Sequence, residues 1–258
     1  MKLEIRGLDV RFGDRRVVEL DALDVDAGEI VGLVGESGSG KSTTALAVLG
    51  LVESAGARVE GSVKLDGREL VGAPEAELRA IRGSRVAMIF QHPVSAFNPV
   101  FRVGDVFIRA LRLHGASRAD APERARAALA EVMLARDLLH RYPHELSGGQ
   151  AQRIAVALAV ALRAEVLIAD EATSALDVTV QAEIVDLLER LREREGIAIL
   201  FISHDLAVVG RLCDRVAVMR LGRLVETGST VEVLHAPKDP YTRELIAAVP
   251  RIAAGRQV

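Results

Sequence analysis

The run Ile30-Val31-Gly32-Leu33-Val34 is followed at once by Gly35-Glu36-Ser37-Gly38-Ser39-Gly40-Lys41-Ser42-Thr43, and an alanine- and leucine-rich helical pattern begins inside this second stretch. A short apolar run ending at glycine reads as a fully buried strand, so the local order is strand, loop, helix. The loop satisfies G-x-x-x-x-G-K-[ST] in the setting that gives this pattern its meaning. Its glycines let the backbone curl until several N–H groups converge on one anion, and the helix N-terminus adds partial positive charge. Lys41 then supplies a compact ammonium for the β- and γ-phosphates of a nucleotide, and Ser42 offers a hydroxyl to Mg²⁺. Gly35, Glu36, Ser37, Gly38, Ser39, Gly40, Lys41, Ser42 and Thr43 are the candidate nucleotide-binding loop.

Such a loop needs an acidic partner at the end of another apolar strand, and Val166-Leu167-Ile168-Ala169-Asp170-Glu171 provides one. Asp170 is expected to hold Mg²⁺ through water, and Glu171 to act as general base or to orient the attacking water. A third motif, Leu146-Ser147-Gly148-Gly149-Gln150, opens a helix predicted to run to about residue 163. Ser147 is an N-cap type of residue, and the two glycines expose backbone N–H groups at a positive helix end, which makes a second phosphate-reading site.

Further out, short apolar runs alternate with helical patterns, the arrangement of an α/β protein whose helices cover a mostly parallel sheet. Strands are predicted over residues 3–12, 17–25, 85–90, 166–169, 197–202 and 215–219, with one more after Leu221-Gly222. Residues 62–65, closed by Asp66-Gly67, read as a hairpin edge. From about residue 92 to 145 the texture changes to amphipathic stretches at 103–113 and 122–132, which predicts an inserted helical subdomain. Small helices are expected over 230–235 and 241–249.

Composition narrows the function classes. At 50% hydrophobic the chain could be suspected of crossing a membrane, but its longest uninterrupted apolar run is only residues 154–162, and a spanning helix needs roughly 20. The opening Met1-Lys2-Leu3-Glu4-Ile5-Arg6 puts charge where a secretory signal needs its apolar segment, which leads to an expectation of the cytosol. One cysteine, Cys213, permits neither an internal disulfide nor a cysteine metal cluster within the chain, and is expected to pack as a small apolar residue. With 33 basic against 36 acidic residues no field gathers a polyanion, so no nucleic-acid partner is expected.

Phosphate loop, LSGGQ and the run Asp170-Glu171-Ala172-Thr173-Ser174-Ala175-Leu176-Asp177, in this order, resemble the nucleotide-binding subunit of an ATP-binding cassette (ABC) transporter over nearly the whole chain. The resemblance implies an ABC-type P-loop NTPase with a RecA-like core, an antiparallel β edge and the helical subdomain inserted at about 92–147. It also implies an ATPase acting as a head-to-tail dimer, in which ATP lies between the loop of one subunit and Ser147, Gly148, Gly149 and Gln150 of the other. Residue by residue, Gln91 matches the Q-loop glutamine that touches Mg²⁺ or water, and His204 the switch histidine at the γ-phosphate. Asp177 matches the D-loop aspartate at the dimer seam, and Phe12 the aromatic that stacks on adenine. Catalysis is thus expected of Glu171, His204, Lys41 and Gln91, with Ser42, Gln91 and Asp170 around the metal. Ala172 replaces the usual proline, for which a slightly looser turn is expected.

Three stretches resemble the dipeptide, oligopeptide and nickel importer class in particular: residues 88–99, 142–146 and 237–245. They imply a cassette over 1–236 and a class-specific tail over 237–258, at the cytoplasmic face of the membrane. The implied partners are a second ABC ATPase, a paralogue rather than an identical copy, two transmembrane permease subunits and, indirectly, an extracytoplasmic solute-binding protein. The cargo implied is a peptide or a nickel complex, and His92 and His144 are expected to be loop residues rather than nickel ligands. The alternative is a soluble ABC ATPase of the DNA-repair or translation type, which usually carries a long coiled-coil insert or two fused cassettes; the sequence shows neither.

Overall fold

A computed structural model of the chain describes residues 1–174 and 176–248. In chain order its strands are β1 (Leu3–Phe12), β2 (Arg15–Val25), β3 (Ile30–Val34), β4 (Ala57–Leu65), β5 (Arg68–Glu69), β6 (Val86–Ile89), β7 (Val166–Asp170), β8 (Ala198–Ser203), β9 (Arg215–Arg220) and β10 (Arg223–Ser229). The helices are α1 (Lys41–Val48), α2 (Glu75–Ile81), α3 (Pro93–Ala96), α4 (Val103–Leu113), α5 (Asp120–Glu131), α6 (Gly148–Leu162), α7 (Val178–Glu195), α8 (Leu206–Leu212), α9 (Thr230–His235) and α10 (Pro240–Ala247).

The strands divide into two sheets according to their apolar pattern. β3, β7 and β8 are buried at every position, as parallel strands covered on both faces must be. They lie inside a six-stranded sheet in the order β10-β9-β3-β8-β7-β6, parallel except for the β9–β10 hairpin. Residues one apart along each strand face opposite layers. Leu167, Ala169, Ile199 and Phe201 share a core with α4 to α8. Ile168, Leu200, Ile202 and Leu33 share another with α1 and the second sheet.

That second sheet is four-stranded and antiparallel, in the order β2-β1-β4-β5. β1 buries Leu3 and Ile5, then Leu8 and Val10. The change from odd to even positions falls at Gly7, whose φ of 54° coincides with a slip in the pairing to β4, the mark of a β-bulge. Opposite stands Gly61, where a Cβ would lie 2.2 Å from the Gly7 carbonyl oxygen, so no larger residue fits. The hairpin expected at 62–65, closed by Asp66-Gly67, is present: Leu65 of β4 pairs with Arg68 of β5, an edge strand of this sheet, while β4 itself begins earlier than read, at Ala57, beyond the break at Gly61.

Residues 92–147 contain α3, α4 and α5 and no strand. Their buried residues, among them Val103, Phe107, Leu111 and Leu129, belong to the same continuous core as α6 and α7, so this helical layer is not separately cored. The helix expected at 122–132 begins at Asp120, because Ser117 and Asp120 close the preceding turn. Cys213 is buried against Gly32, where a Cβ would come within 3.0 Å of its Sγ, and burial pushes its thiol pKa up. It packs as an inert apolar group. No helix among the described residues is long and apolar enough to cross a membrane. Val249, the last residue of the expected tail helix, and the rest of the tail to 258 lie outside the described residues.

An ion-pair cluster ties the start of β1 to the starts of β6 and β7. Glu165 accepts hydrogen bonds from Nε and Nη2 of Arg85, at 3.1 and 2.8 Å, and pairs with Lys2 at 2.8 Å, while Asp66 pairs with both cations. The Arg85 guanidinium, helped by Lys2, holds the Glu165 carboxyl down at about 2. A depressed pKa stabilises the fold fully above the ordinary value and loses that contribution as pH falls toward the folded one. The cluster is partly exposed, so Glu165→Gln is expected to cost only about 1 kcal/mol at neutral pH. Thermal unfolding should show the wild-type advantage shrinking steadily as pH falls from 4.5 to about 2.

Candidate functional site

The register of the parallel sheet sets the motifs side by side. Val34 of β3 is opposite Ser203 of β8, Ile202 of β8 is opposite Asp170 of β7, and Ala169 of β7 is opposite Ile89 of β6. The loops carrying Lys41, His204, Glu171 and Gln91 therefore leave the carboxyl ends of four neighbouring strands in that order. This is where open α/β sheets place their ligands.

The loop after β3 is shaped by close approaches. A Cβ on Gly35 would lie 2.1 Å from the Met219 carbonyl oxygen, and Gly40, at φ 107°, sits against the Val17 carbonyl as the N-cap of α1. No side chain caps this helix, so its first N–H groups are available to an anion. Lys41 is buried, and its Nζ donates to the carbonyls of Gly35 and Glu36, each at 2.8 Å, and to Ser39 Oγ at 3.3 Å. Burial lowers the Lys41 pKa, opposed by the charges of Glu171, Asp170 and Glu36. The ammonium is thus kept out of water and held by neutral carbonyls.

Asp170 closes β7 and is buried. Burial raises its pKa, the Ser42 hydroxyl and Lys41 pull it back, and Glu171 pushes it further up. Its Oδ1 is buried without a hydrogen-bond partner among the described residues. A bare carboxylate oxygen beside a serine hydroxyl is the donor set a hard divalent cation takes, so the residues present fit the Mg²⁺ expected from the sequence.

Glu171 adopts a left-handed backbone, φ 48°, at a cost of about 1–2 kcal/mol for a side-chain-bearing residue. The turn is pinned by the Glu171 N–H donating to Ile202 O at 2.9 Å, and by the N–H and hydroxyl of Ser174 donating to Glu171 O at 3.1 and 3.0 Å. Ala172, where the proline was expected, is fully buried inside it. Strain held in this way gathers at functional positions. Both carboxylate oxygens of Glu171 are engaged: Gln91 Nε2 donates to Oε2 at 2.6 Å, and His204 Nδ1 lies 3.4 Å from Oε1. His204 itself is steadied by its neighbours. The Asp205 N–H donates to Ser203 Oγ, and Asp205 caps α8 while accepting from Gln181 Nε2 of α7 at 3.1 Å.

Gln91, Glu171 and His204 thus meet directly, Lys41 closes the loop on itself, and Ser42 adjoins Asp170. The remaining sequence candidates stand apart. Phe12 ends β1 with 37% of its surface exposed, outside the core. Ser147 and Gln150 satisfy each other, Ser147 Oγ accepting from Gln150 N and Gln150 Oε1 from Ser147 N. Asp177 caps α7 by accepting from Thr179 and Val180 N–H groups. Residues 147–150 and Asp177 make no hydrogen bond to the loop at 35–43 among the described residues.

Two roles escaped the sequence reading. Gln152, buried one turn into α6, donates to the Ala172 carbonyl and so joins the LSGGQ helix to the Glu171 turn. Gly149 lets α6 approach α7, since a Cβ there would lie 2.5 Å from Val180 Cγ1. Alanine is the better helix former, so any loss on Gly149→Ala is steric. We expect a loss of about 1–3 kcal/mol in denaturant unfolding, largely restored by adding Val180→Ala. Contacts of this kind have no local sequence signal, because the partner lies a helix away.

The ABC transporter family model matches residues 19–174, from β2 through the loop at 35–43, the LSGGQ helix and the Glu171 turn. The chain belongs to the ABC transporter family. It is 44% identical over 268 residues to the glutathione import ATP-binding protein GsiA of Salmonella typhimurium strain LT2, covering 98% of this chain and 43% of that protein. To GsiA of Escherichia coli K12 it is 46% identical over 242 residues, covering 90% and 39%. The chain spans less than half the length of these curated relatives. Among solved structures it resembles a dimeric ATP-binding cassette in a post-hydrolysis state bound to ADP and Pi, with TM-score 0.78 and 26% identity over 88% of this chain and 98% of that one. It also resembles CbiO1 of Clostridium perfringens, part of an ABC transporter complex, with TM-score 0.78 and 25% identity over 97% and 96%.

In this ABC cassette a cleft of about 600 Å³ lies away from these motifs, at the amino ends of β7 and β8, lined by Glu165, Arg163 and Ile197 among others. The loop at 35–43 instead faces outward, with Glu36, Ser37, Gly38 and Ser42 exposed.

Proposed function

We propose that this chain is the ATP-hydrolysing subunit of an importer and works as one of a pair of cassettes. The observation that carries this reading is the engagement of Glu171 on both carboxylate oxygens by Gln91 and His204, next to the phosphate loop. A base for the attacking water is held there by two polar groups from neighbouring strands. In the reading, Lys41 and the α1 N-terminus bind the β- and γ-phosphates, and Phe12 stacks on the base. Ser42, Gln91 and Asp170, the last through water, would hold Mg²⁺, which when bound neutralises charge on the phosphates. Glu171 accepts a proton from the attacking water, and His204 lies against the γ-phosphate.

Ser147, Gly148, Gly149, Gln150 and Asp177 then serve the partner's nucleotide, which accounts for their lack of contact with this chain's own loop. Closure on ATP and reopening after hydrolysis would be passed by the segment after Gln91 to a membrane permease. The relatives that import glutathione support a small peptide as cargo, with a nickel complex the second candidate. A paralogous second ATPase, two permease subunits and an extracytoplasmic binding protein complete the proposed assembly. It would place this chain at the cytoplasmic face of the membrane, with 237–258 as a class-specific tail to the 1–236 cassette.

Affinity purification in detergent tests the proposal. The chain is expected to bring down hydrophobic permease subunits and to release phosphate from MgATP faster when a loaded binding protein is added. A complex without permeases whose ATPase responds instead to DNA or ribosomes would overturn it in favour of a soluble ABC ATPase.

A further inference from the structure

The C-terminal helix reaches back into the nucleotide loop. Tyr241, in the first turn of α10 and buried, accepts a hydrogen bond at its Oη from the Glu36 N–H at 3.0 Å. Its ring lies under the guanidinium of Arg220, whose Cζ is 4.6 Å from the ring centroid, at the end of β9. The start of the helix is anchored separately. Glu226 of β10 accepts the N–H groups of Lys238 and Asp239 at 2.8 and 3.0 Å, and Asp239 accepts the Tyr241 N–H at 2.8 Å.

The Glu36 N–H belongs to the same peptide unit as the Gly35 carbonyl, and that carbonyl is one of the oxygens that hold Lys41 Nζ. A peptide unit is planar, so its N–H and C=O turn together and point in opposite directions. Fixing the N–H on Tyr241 therefore fixes the carbonyl on Lys41. Gly35 makes this anchor needful, because glycine leaves the preceding torsion free where a side chain would restrict it.

We propose that Tyr241 is a positioning residue for the phosphate-binding lysine, acting through the Gly35–Glu36 peptide, and that the tail helix thereby sets the affinity of the cassette for ATP. The inference rests on the nucleotide-binding reading above. Tyr241→Phe removes the acceptor and keeps the ring under Arg220. Losing one neutral hydrogen bond predicts a threefold to tenfold rise in Kd and KM, on the order of 1 kcal/mol. The turnover number at saturating ATP should stay near wild type, since Glu171, Gln91 and His204 are untouched. Glu226→Ala, which frees the start of α10 without altering Tyr241, should weaken ATP in the same direction.

The test is titration of the 258-residue chain with a fluorescent ATP analogue and Mg²⁺, with thermal midpoints measured alongside and Lys41→Ala as reference. Weaker binding by Tyr241→Phe, measured where both proteins are folded and with a midpoint no more than a few degrees lower, is the expected result. Wild-type Kd in that variant, or a Kd change seen only where the variant has begun to unfold, overturns the positioning role. If Lys41→Ala loses the analogue while Tyr241→Phe binds normally, the positioning role alone falls. If the wild-type chain does not bind it, the nucleotide reading falls too.

Discussion

Lys41→Ala is expected to abolish nucleotide binding and, with it, all ATP turnover. Lys41 is buried, and its ammonium is held by the Gly35 and Glu36 carbonyls and the Ser39 hydroxyl, at the N-terminus of a helix with no side-chain cap. Phosphate oxygens arriving there would displace the Ser39 hydroxyl and the Glu36 carbonyl, with the Gly35 carbonyl still holding the ammonium, and each charge-assisted hydrogen bond lost is worth about 1.5–3 kcal/mol. Two phosphates touched by one ammonium give a loss of more than about 100-fold in affinity. The fold should survive: burial already works against the Lys41 charge, so removing it relieves a desolvation cost. Unchanged thermal stability with no MgATP binding by calorimetry is the expected pair of results. Binding within a fewfold of wild type would remove the phosphate-loop assignment.

Glu171→Gln separates binding from chemistry. The amide keeps the shape of the side chain, so the left-handed turn, held by backbone bonds to Ile202 and Ser174, has no reason to change. What is lost is a basic oxygen. An amide cannot take a proton from water, and a positioned general base contributes about 10²–10⁴-fold. Single-turnover hydrolysis should slow by about that factor with ATP affinity retained. The paired cassettes should then stay closed on ATP, visible as a dimer in size exclusion with MgATP that wild type does not accumulate. Brisk turnover by this variant would exclude Glu171 as the base.

Much of the site was legible because its chemistry is written in contiguous residues. A phosphate loop must follow a buried strand and open a helix, and residues 30–43 do both. The strand-terminal pair Asp170-Glu171 was legible for the same reason. Gln91 and His204 were legible only through family resemblance, since one polar residue after a strand carries no signal of its own; the pairing of β6, β7 and β8 supplies their contact with Glu171. In the fold, continuous apolar runs marked the parallel strands. In the antiparallel sheet β1 was read over its observed span, whereas β4 was read only from residue 62, because Gly61, opposite the bulge at Gly7, interrupts its pattern.

Sequence by itself determined the fold class, the family and the kind of chemistry, because strand burial, helix periodicity and the phosphate loop are local patterns with local causes. Tertiary structure alone decided which groups touch. It turned Glu171 into a strained residue gripped by Gln91 and His204, left the Asp170 oxygen bare beside Ser42, and made Gly149 a contact point for Val180. It also laid Tyr241 against a loop some two hundred residues earlier in the chain. The physical reason is common to all four: hydrogen bonds and close contacts form between groups that meet in space, and separation along the chain does not record which groups those are.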